Sequence, residues 1–375
     1  KGSATPIVWD DRIFVLTAIP VGEIINPPEN KSPHRARWKG DKPNQAQTFS
    51  ILAISRQDGK VLWERTVRTK MPHEGTHVAG TWASCSPVTD GELVFAYFGS
   101  QGLYAFNMQG ELLWEKDLGD MTIRYSFGEG ASPTLHEDRI IVSWDHEGQS
   151  FIVALDKRTG KEIWRVDRDE KTSWTTPIVV TQDGRKQVII SATNRVRSYD
   201  FRTGELVWQS SGMTLNTIPS PVAADGIVFV TSGFRGNALL AIRLADAKGD
   251  ITDSDSIIWS HDRDTPYVPS PLLYDDTLYF LKHNSGVLSS FDAKTGEMNY
   301  QTRLTDVPNV YASPVGAADR VYVTGREGTT VVLQHPEFNI LAVNSLEDGF
   351  DASLAVVDNE IYLRGRRFLY CISQD

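Results

Sequence analysis

The sequence predicts an all-β fold, an eight-bladed β-propeller of four-stranded antiparallel blades whose last blade lacks its outer strand within this chain. Three observations carry that reading. First, an eleven-residue phrase recurs. Its fullest copy runs from Ala154 through Asp156, Thr159 and Gly160 to Trp164. Close copies end at Trp63, Trp208 and Tyr300, each with a glycine four residues earlier (Gly59, Gly204, Gly296), and a copy shorter by one residue runs from Ala105 through Gly110 to Trp114. Second, a small residue plus proline opens an apolar run at Thr5-Pro6, Ser86-Pro87, Ser132-Pro133, Thr176-Pro177, Ser220-Pro221, Ser270-Pro271 and Ser313-Pro314, with Ser353-Leu354 as an eighth, degenerate copy. The steps between prolines are 81, 46, 44, 44, 50 and 43 residues, the period of a repeat architecture. Third, short runs of β-branched and aromatic residues are separated by Asp-Gly and Thr-Gly turns, the mark of antiparallel hairpins.

Within one period the sequence supports four strands. The repeat from Pro177 gives them at Ile178–Val180, Val188–Ala192, Arg197–Asp200 and Leu206–Gln209. Four-stranded units repeated radially are propeller blades, which leave few exposed sheet edges. The phrase glycine supplies the positive φ of a tight turn between strands three and four. The tryptophan supplies an apolar face for the neighbouring blade. In the last repeat, strands are expected near Leu354–Val357, Glu360–Leu363 and Phe368–Ile372 without a tryptophan strand after them. The missing outer strand is expected upstream of Lys1, where it would hide the sheet edge. The first repeat is long because an insertion at about residues 18–48 interrupts it between strands two and three. The insertion carries five prolines and a basic cluster of Lys31, His34, Arg35, Arg37, Lys39 and Lys42. Its length suggests a lid or partner-binding arm. A polar excursion, Ala245–Ser256, lengthens the fifth repeat.

Length alone would suggest two or three domains, but a propeller is one unit, so residues 1–375 are read as a single domain. The formal charge is -10, with 48 acidic against 38 basic side chains. That balance argues against a nucleic-acid surface. No apolar run approaches the roughly 18 residues of a membrane helix. A monomer without a transmembrane segment is expected. Cys85 and Cys371 fall in non-adjacent blades, so two buried free thiols are expected rather than a disulfide.

The repeat sorts the loops into two sets. Turns between strands one and two, and three and four, are short and generic. Loops between strands two and three, and between blades, are chemically diverse, and ligands favour such loops on rigid scaffolds. In the first half these bring His73, His77, Arg124, Asp145, His146, Glu147, Arg168 and Asp169 to one face. Trp174, Asn194, Arg195, Arg235, Tyr267, His283, Asn284, Arg326, Glu327 and Asp351 follow in the second. This ring is the expected ligand-binding face, and no catalytic residue is assigned within it. His73-Glu74-Gly75-Thr76-His77 matches a zinc-peptidase pattern, which requires both histidines on one helical face and a third ligand. Ala83 stands where the longer pattern places its third histidine, and Gly75 and Thr76 disfavour a helix. A loop metal site would use His73 and His77, with His146 or His283.

The phrase A-x-D-x-x-T-G-x-x-x-W, as at Ala154–Trp164, resembles the tryptophan-docking repeat of the quinoprotein dehydrogenases, the pyrroloquinoline quinone (PQQ)-like propellers, across essentially the whole chain. One branch of that superfamily uses PQQ and calcium to oxidise alcohols or sugars. Another binds no cofactor and is a scaffold, as in the propeller lipoprotein of the outer-membrane β-barrel assembly machinery. The loops look most like those of PQQ-like repeat proteins of planctomycete-type bacteria, which implies an extracytoplasmic (periplasmic or secreted) setting. The enzyme branch implies adjacent cysteines, a tryptophan floor, calcium ligands and an aspartate base. Cys85 and Cys371 cannot supply the first; Trp144, Trp174, Asn194, Glu147, Asp169 and Asp351 have the right residue types for the others. The expectation is a non-catalytic propeller that needs no cofactor and binds a protein, peptide or carbohydrate through the diverse loops. A PQQ- and calcium-dependent dehydrogenase is the alternative, with a metal-assisted hydrolase or lyase on the same face as a third reading.

Overall fold

The expected alternation of strands and turns is present throughout. The computed structural model describes residues 1–25 and 39–373. Eight consecutive antiparallel sheets, the blades of an eight-bladed β-propeller, follow one another along the chain. They fall into two compact units, Lys1–Asp169 with blades 1 to 3 and Glu170–Asp375 with blades 4 to 8. In blade 4 the strands are Ile178–Gln182, Arg185–Ser191, Val196–Asp200 and Leu206–Ser210, close to the sequence reading. The eighth sheet has three strands, Ala355–Val357, Glu360–Arg364 and Leu369–Ser373.

The core lies between consecutive sheets. Phe14, Leu16, Phe49 and Ile51 of blade 1 interleave with Val94, Ala96, Tyr104 and Phe106 of blade 2. Blades 6 and 7 repeat the pattern with Tyr279, Leu281 and Leu288 against Val321, Val323 and Val331. Second and third strands are therefore buried on both faces, and all five residues of Leu93–Tyr97 are buried. Fully burying each such side chain contributes about 1.5–3 kcal/mol.

Two recurrent contacts fix one blade against the next and a third shapes a turn within each, and all three read directly onto the repeat. In the anchors, the N–H of the residue before proline donates to the hydroxyl of the following anchor. In the first unit Thr5 donates to Ser86 Oγ at 3.1 Å and Ser86 to Ser132 Oγ at 2.9 Å. In the second, Thr176, Ser220, Ser270 and Ser313 donate in turn to the hydroxyls of Ser220, Ser270, Ser313 and Ser353 at 2.9–3.0 Å. Ser353 keeps its role although leucine follows it, because the hydroxyl, not the proline ring, makes this bond.

The second contact joins the phrase tryptophan to the phrase glycine of the next blade. A Cβ on Gly110 would lie 2.6 Å from the Trp63 ring, one on Gly160 2.7 Å from Trp114, and one on Gly296 2.6 Å from Trp259. The indole N–H of each donates to a carbonyl beside that glycine: Met108, Lys157 and Ala293 respectively, at 2.9–3.0 Å. The glycine thus meets two demands at once, a φ of +66° to +80° and room for an indole. The third contact is local. Asp156 Oδ1 accepts the N–H groups of Arg158 and Thr159 and the Thr159 hydroxyl, and Asp200 and Asp292 repeat the arrangement. The Thr159 hydroxyl above all, with these N–H groups, holds the Asp156 carboxyl below its ordinary range.

Three expectations need correcting. The strands flanking the insertion run farther than foreseen, Arg12–Val21 and Ala46–Ser55, because Ala18–Val21 pairs with Ala46–Phe49 instead of leaving the sheet. Lys31, His34, Arg35 and Arg37 lie outside the described residues, while Lys39 and Lys42 are exposed. The excursion Ala245–Ser256 is not a simple loop. Gly249–Asp250 pairs in parallel with Trp208 and Gln209 as a fifth strand of blade 4, and Ala247 and Ile251 pack in the same core as Trp208. Trp208 accordingly bonds Gln187 of its own sheet at 3.0 Å. Cys85 is buried as expected, but Cys371 is exposed, because it lies on the outermost strand of a three-stranded sheet.

Gly160→Ala is expected to destabilise the protein by about 2–4 kcal/mol, about 1–2 from the left-handed backbone and the rest from displacing Trp114. Gly59→Ala, whose Cβ would meet nothing within 4 Å, should cost only the backbone share; urea unfolding of the two variants separates the contributions. Ser270→Ala removes the acceptor for Ser220 N–H, and a loss of about 1–3 kcal/mol is expected by the same measurement.

Candidate functional site

In the first unit, the loop after blade 1 (71–82), the loop after blade 2 (117–130) and the turn at 145–150 are laced together. His73 Nε2 donates to Met121 O at 2.7 Å, which fixes its tautomer. Glu74 Oε2 accepts the N–H of Ile123 at 2.9 Å, and His77 N–H donates to Phe127 O at 3.0 Å. His146 Nδ1 accepts the N–H of Thr122 at 3.0 Å, and Arg124 pairs with Glu147 at 3.1 Å. The returning end of the insertion docks on the same loops. Gly40 N–H donates to Tyr125 O at 2.7 Å and Asp41 N–H to Thr76 O at 3.0 Å. A Cβ on Gly40 would overlap Ser126 O, and one on Gly75 would overlap Asp41 O, so glycine is required on both sides of this approach. Tyr125 and Ser126 stand at φ +57° and +52° beside it.

The zinc-peptidase pattern dissolves in this geometry. Residues 73–77 are loop, not helix. The His77 Nδ1 accepts the N–H of Ala79, and its ring edge meets Phe127 at 4.9 Å. Among the described residues, no group of three His, Cys, Asp or Glu is placed to hold a metal. Other expected site residues are structural ties. Asp145 and Arg168 form a bidentate pair at 2.8 and 3.0 Å, with both side chains fully buried. Asp169 is exposed, whereas its neighbour Glu170 is buried and takes Arg197 and the N–H of Asn194, each at 3.1 Å.

In the second unit the loops are tied by both backbone and side chains. Arg235 stands at φ +52°, is exposed, and lies 5.4 Å from the Phe234 ring centroid. Tyr267 stacks on Phe234 at 4.8 Å. His283, also exposed, donates from Nδ1 to Gly233 O at 2.8 Å, and Asn284 Oδ1 accepts the N–H of Val268. Arg195 lies 3.8 Å from Asp250, and Trp174 N–H donates to Thr217 O. Asp351 is bracketed by Arg326 and Arg366, Arg326 lies over the Tyr311 ring at 3.9 Å, and Glu327 is exposed.

Beneath the His73–Gly75 loop lies a small cavity that sequence reasoning missed. Glu74, Trp82, Cys85, Phe98, Gln101 and Glu129 contribute to its lining. Glu129 accepts the N–H of Ser100 at 2.6 Å and its hydroxyl at 2.5 Å. A Cβ on Gly99 would overlap the carboxylate. Burial pushes Glu129 up from 4.5 to about 7, with Glu74 adding to the rise and Ser100 and His73 opposing it. Burial, and then the Glu129 charge, hold Cys85 as a thiol. The available signal was a glutamate between Gly128 and Gly130, three residues ahead of the anchor Ser132.

Among the residues offered for a quinone and calcium, Glu147 and Asp351 are already paired, with Arg124 and with Arg326 and Arg366. Trp144 is buried flat against Phe151 at 5.6 Å, which leaves no open face for a ring.

Comparison with known proteins agrees with the repeat. The family model described as outer membrane protein assembly factor BamB matches residues 45–122 and 148–374. The BamB of Shewanella oneidensis is 23% identical over 304 residues, 76% of this chain and 67% of that protein. That of Kangiella koreensis is 26% identical over 158 residues, 41% of this chain and 38% of that protein. The chain's matches to these relatives therefore range from little more than a third to two thirds of their length. Among solved structures, BamB from Moraxella catarrhalis superposes with a TM-score of 0.63 at 14% identity, covering 96% of this chain and all of that one. Quinohemoprotein alcohol dehydrogenase from Comamonas testosteroni gives 0.61 at 10% identity, covering 97% and 70%. These likenesses establish the fold.

The raised Glu129 carboxyl has a sign that can be tested. Between its ordinary range and about pH 7 the folded state holds a proton that the unfolded chain releases. Its contribution therefore makes stability fall as pH rises through that window and level off above it. In Glu129→Gln this segment of a urea-unfolding pH profile should flatten. Parallel profiles for the two proteins would refute the assignment, since His73, Glu74 and Cys85 are unchanged between them.

Proposed function

Because the chain belongs to the family described as outer membrane protein assembly factor BamB, we propose that it is a non-catalytic propeller that binds a protein partner outside the cytoplasm, in the assembly of outer membrane proteins. The observation that carries this beyond kinship is the division of labour among the loop residues. Carboxylates and histidines that chemistry would need are spent on holding loops: Asp145 on Arg168, Glu147 on Arg124, Glu74 on Ile123 N–H, and His73 on Met121 O. What the surface offers instead is the half-buried, stacked Phe234–Tyr267 pair with the exposed Arg235 beside it, and Arg263, whose side chain is 83% exposed. Aromatic and arginine side chains held rigidly at a surface are the residue types that dominate protein–protein recognition. The same commitment of charge disfavours the dehydrogenase and hydrolase readings.

Backbone geometry supports this patch as a built feature. A non-glycine residue at positive φ is strained, and here the strain presents Arg235 between Gly233 and Gly236. A Cβ on Gly233 would meet Thr265 O at 2.5 Å and Pro266 O at 2.6 Å, so the Phe234 loop and the Tyr267 loop touch through backbone. The aromatic pair thereby sits on two interlocked loops, and little conformational freedom remains to be lost on binding.

The test is affinity capture from a detergent-solubilised outer-membrane fraction of the source cells, comparing wild type with Arg235→Asn plus Tyr267→Ala. Asparagine tolerates positive φ, so the loop should persist. A loss of captured protein of about tenfold or more is expected, equivalent to removing one or two hot-spot side chains. Equal capture would move the contact off this face. No specific protein captured by wild type would count against the scaffold reading itself.

A further inference from the structure

We propose that the cavity beneath the His73–Gly75 loop binds one small monovalent cation, of the size of sodium, potassium or ammonium, through the Glu129 carboxylate and the side-chain carbonyl of Gln101. Three observations within the first unit point to an occupant. Gln101 is 4% exposed and its Oε1 has no hydrogen-bond donor, although it lines the cavity. Buried polar atoms are almost always satisfied, so an orphan of this kind calls for a ligand. The hydroxyl of Tyr97, 1% exposed, is likewise without a partner, and Glu129 and Cys85 are near enough to perturb it electrostatically. Finally, the cavity has a volume of about 20 Å³, enough for one water-sized body and no more.

The chemistry of the lining selects the charge. Glu129 accepts two bonds from Ser100, and both donors favour its ionised form. Each carboxylate oxygen still has a lone pair, yet among the described residues no lysine or arginine reaches Glu129. The backbone around Gly99 closes on the carboxylate so tightly that a Cβ there would overlap it, which anchors the anion at a fixed place. The remaining lining offers acceptors: Gln101 Oε1 and the carboxylate of Glu74, one oxygen of which is taken by Ile123 N–H. His73 Nε2–H is committed to Met121 O. A small site of oxygen acceptors around the Glu129 carboxylate, with one Glu74 oxygen already taken by Ile123 N–H, matches a singly charged hard cation. Calcium and magnesium favour more carboxylate ligands than this cavity supplies. The Cys85 sulfur, held as the thiol, offers no thiolate for a soft metal.

The test is thermal unfolding of the whole chain at a pH above the titration of Glu129. Sodium, potassium, ammonium and tetramethylammonium chlorides are compared at one ionic strength. A saturable rise in Tm with at least one small cation, absent with tetramethylammonium, is expected for wild type. It should vanish in Glu129→Gln and weaken in Gln101→Leu. Identical melting in all four salts, or a small-cation effect that persists in both variants, would overturn the proposal. Should either variant fail to fold, crystals of wild type grown in thallium(I) decide the matter. An anomalous peak between Glu129 and Gln101 supports the site, and a water peak with no anomalous signal removes it.

Discussion

Within each unit the blades are held together by a hydrogen bond that crosses from one sheet to the next, and much of the remaining structure follows from it. Ser86, Ser220, Ser270 and Ser313 each use the hydroxyl to receive one neighbour and the N–H to reach the other. Strands in adjacent sheets are not hydrogen-bonded to one another, so a propeller seam would otherwise rest on side-chain packing alone. A chain of serines gives that seam a register. At the opposite end of the sheets the indole resting on a glycine gives it a second one. Where both occur, between blades 1 and 2, 2 and 3, and 5 and 6, one polar point at the first strand and one aromatic at the fourth leave the interleaved core residues between them little freedom to slide.

These same contacts explain why the fold was legible. A residue that must simultaneously satisfy a backbone conformation and a neighbour's side chain cannot vary without cost, so it recurs at fixed spacing. Gly160 satisfies the turn and admits Trp114; Asp156 caps the turn that places Gly160; Ser220 both donates and accepts. What was not legible is what the repeat does not constrain. Gly249–Asp250 joins blade 4 through two backbone pairings that any residues could make. The strands of blade 1 extend to Val21 and from Ala46 by the same kind of backbone pairing, with Pro20 and Gln47 giving little strand signal.

The loops were legible in chemistry and not in accessibility. The sequence placed the charged and aromatic residues on the diverse loops, whereas Arg168 closes the strand Glu162–Arg168. It could not show which would face one another. Asp145 and Arg168 are 23 residues apart and wholly buried as a pair, while Asp169, next in sequence, is exposed. Arg168 ends a strand and Asp145 directly follows one, both fully buried, and a charge in that place survives only with its partner. Glu129 was missed for the converse reason: its partners are the backbone and hydroxyl of Ser100, and no charge pattern in the sequence announces a carboxylate held by a neutral residue.

A common constraint underlies the two functional inferences. Long loops between rigid sheets must satisfy their own backbone groups, and here Glu74, His73, His146 and Glu170 are among the side chains that do so. The residues that escape this duty stand out against that background. At the Phe234–Tyr267 loops the backbone ties itself, through Gly233 and the His283 ring, and the aromatic and cationic side chains remain outside. In the cavity the reverse holds: Ser100 satisfies part of Glu129, and the facing Gln101 carbonyl is left with nothing to accept. One place presents an aromatic pair and an exposed arginine at a surface, the other an unsatisfied carbonyl to an enclosed volume. A surface of that kind suits a macromolecule and an enclosed volume of that size suits an ion, so the two sites can be perturbed separately and neither experiment depends on the outcome of the other.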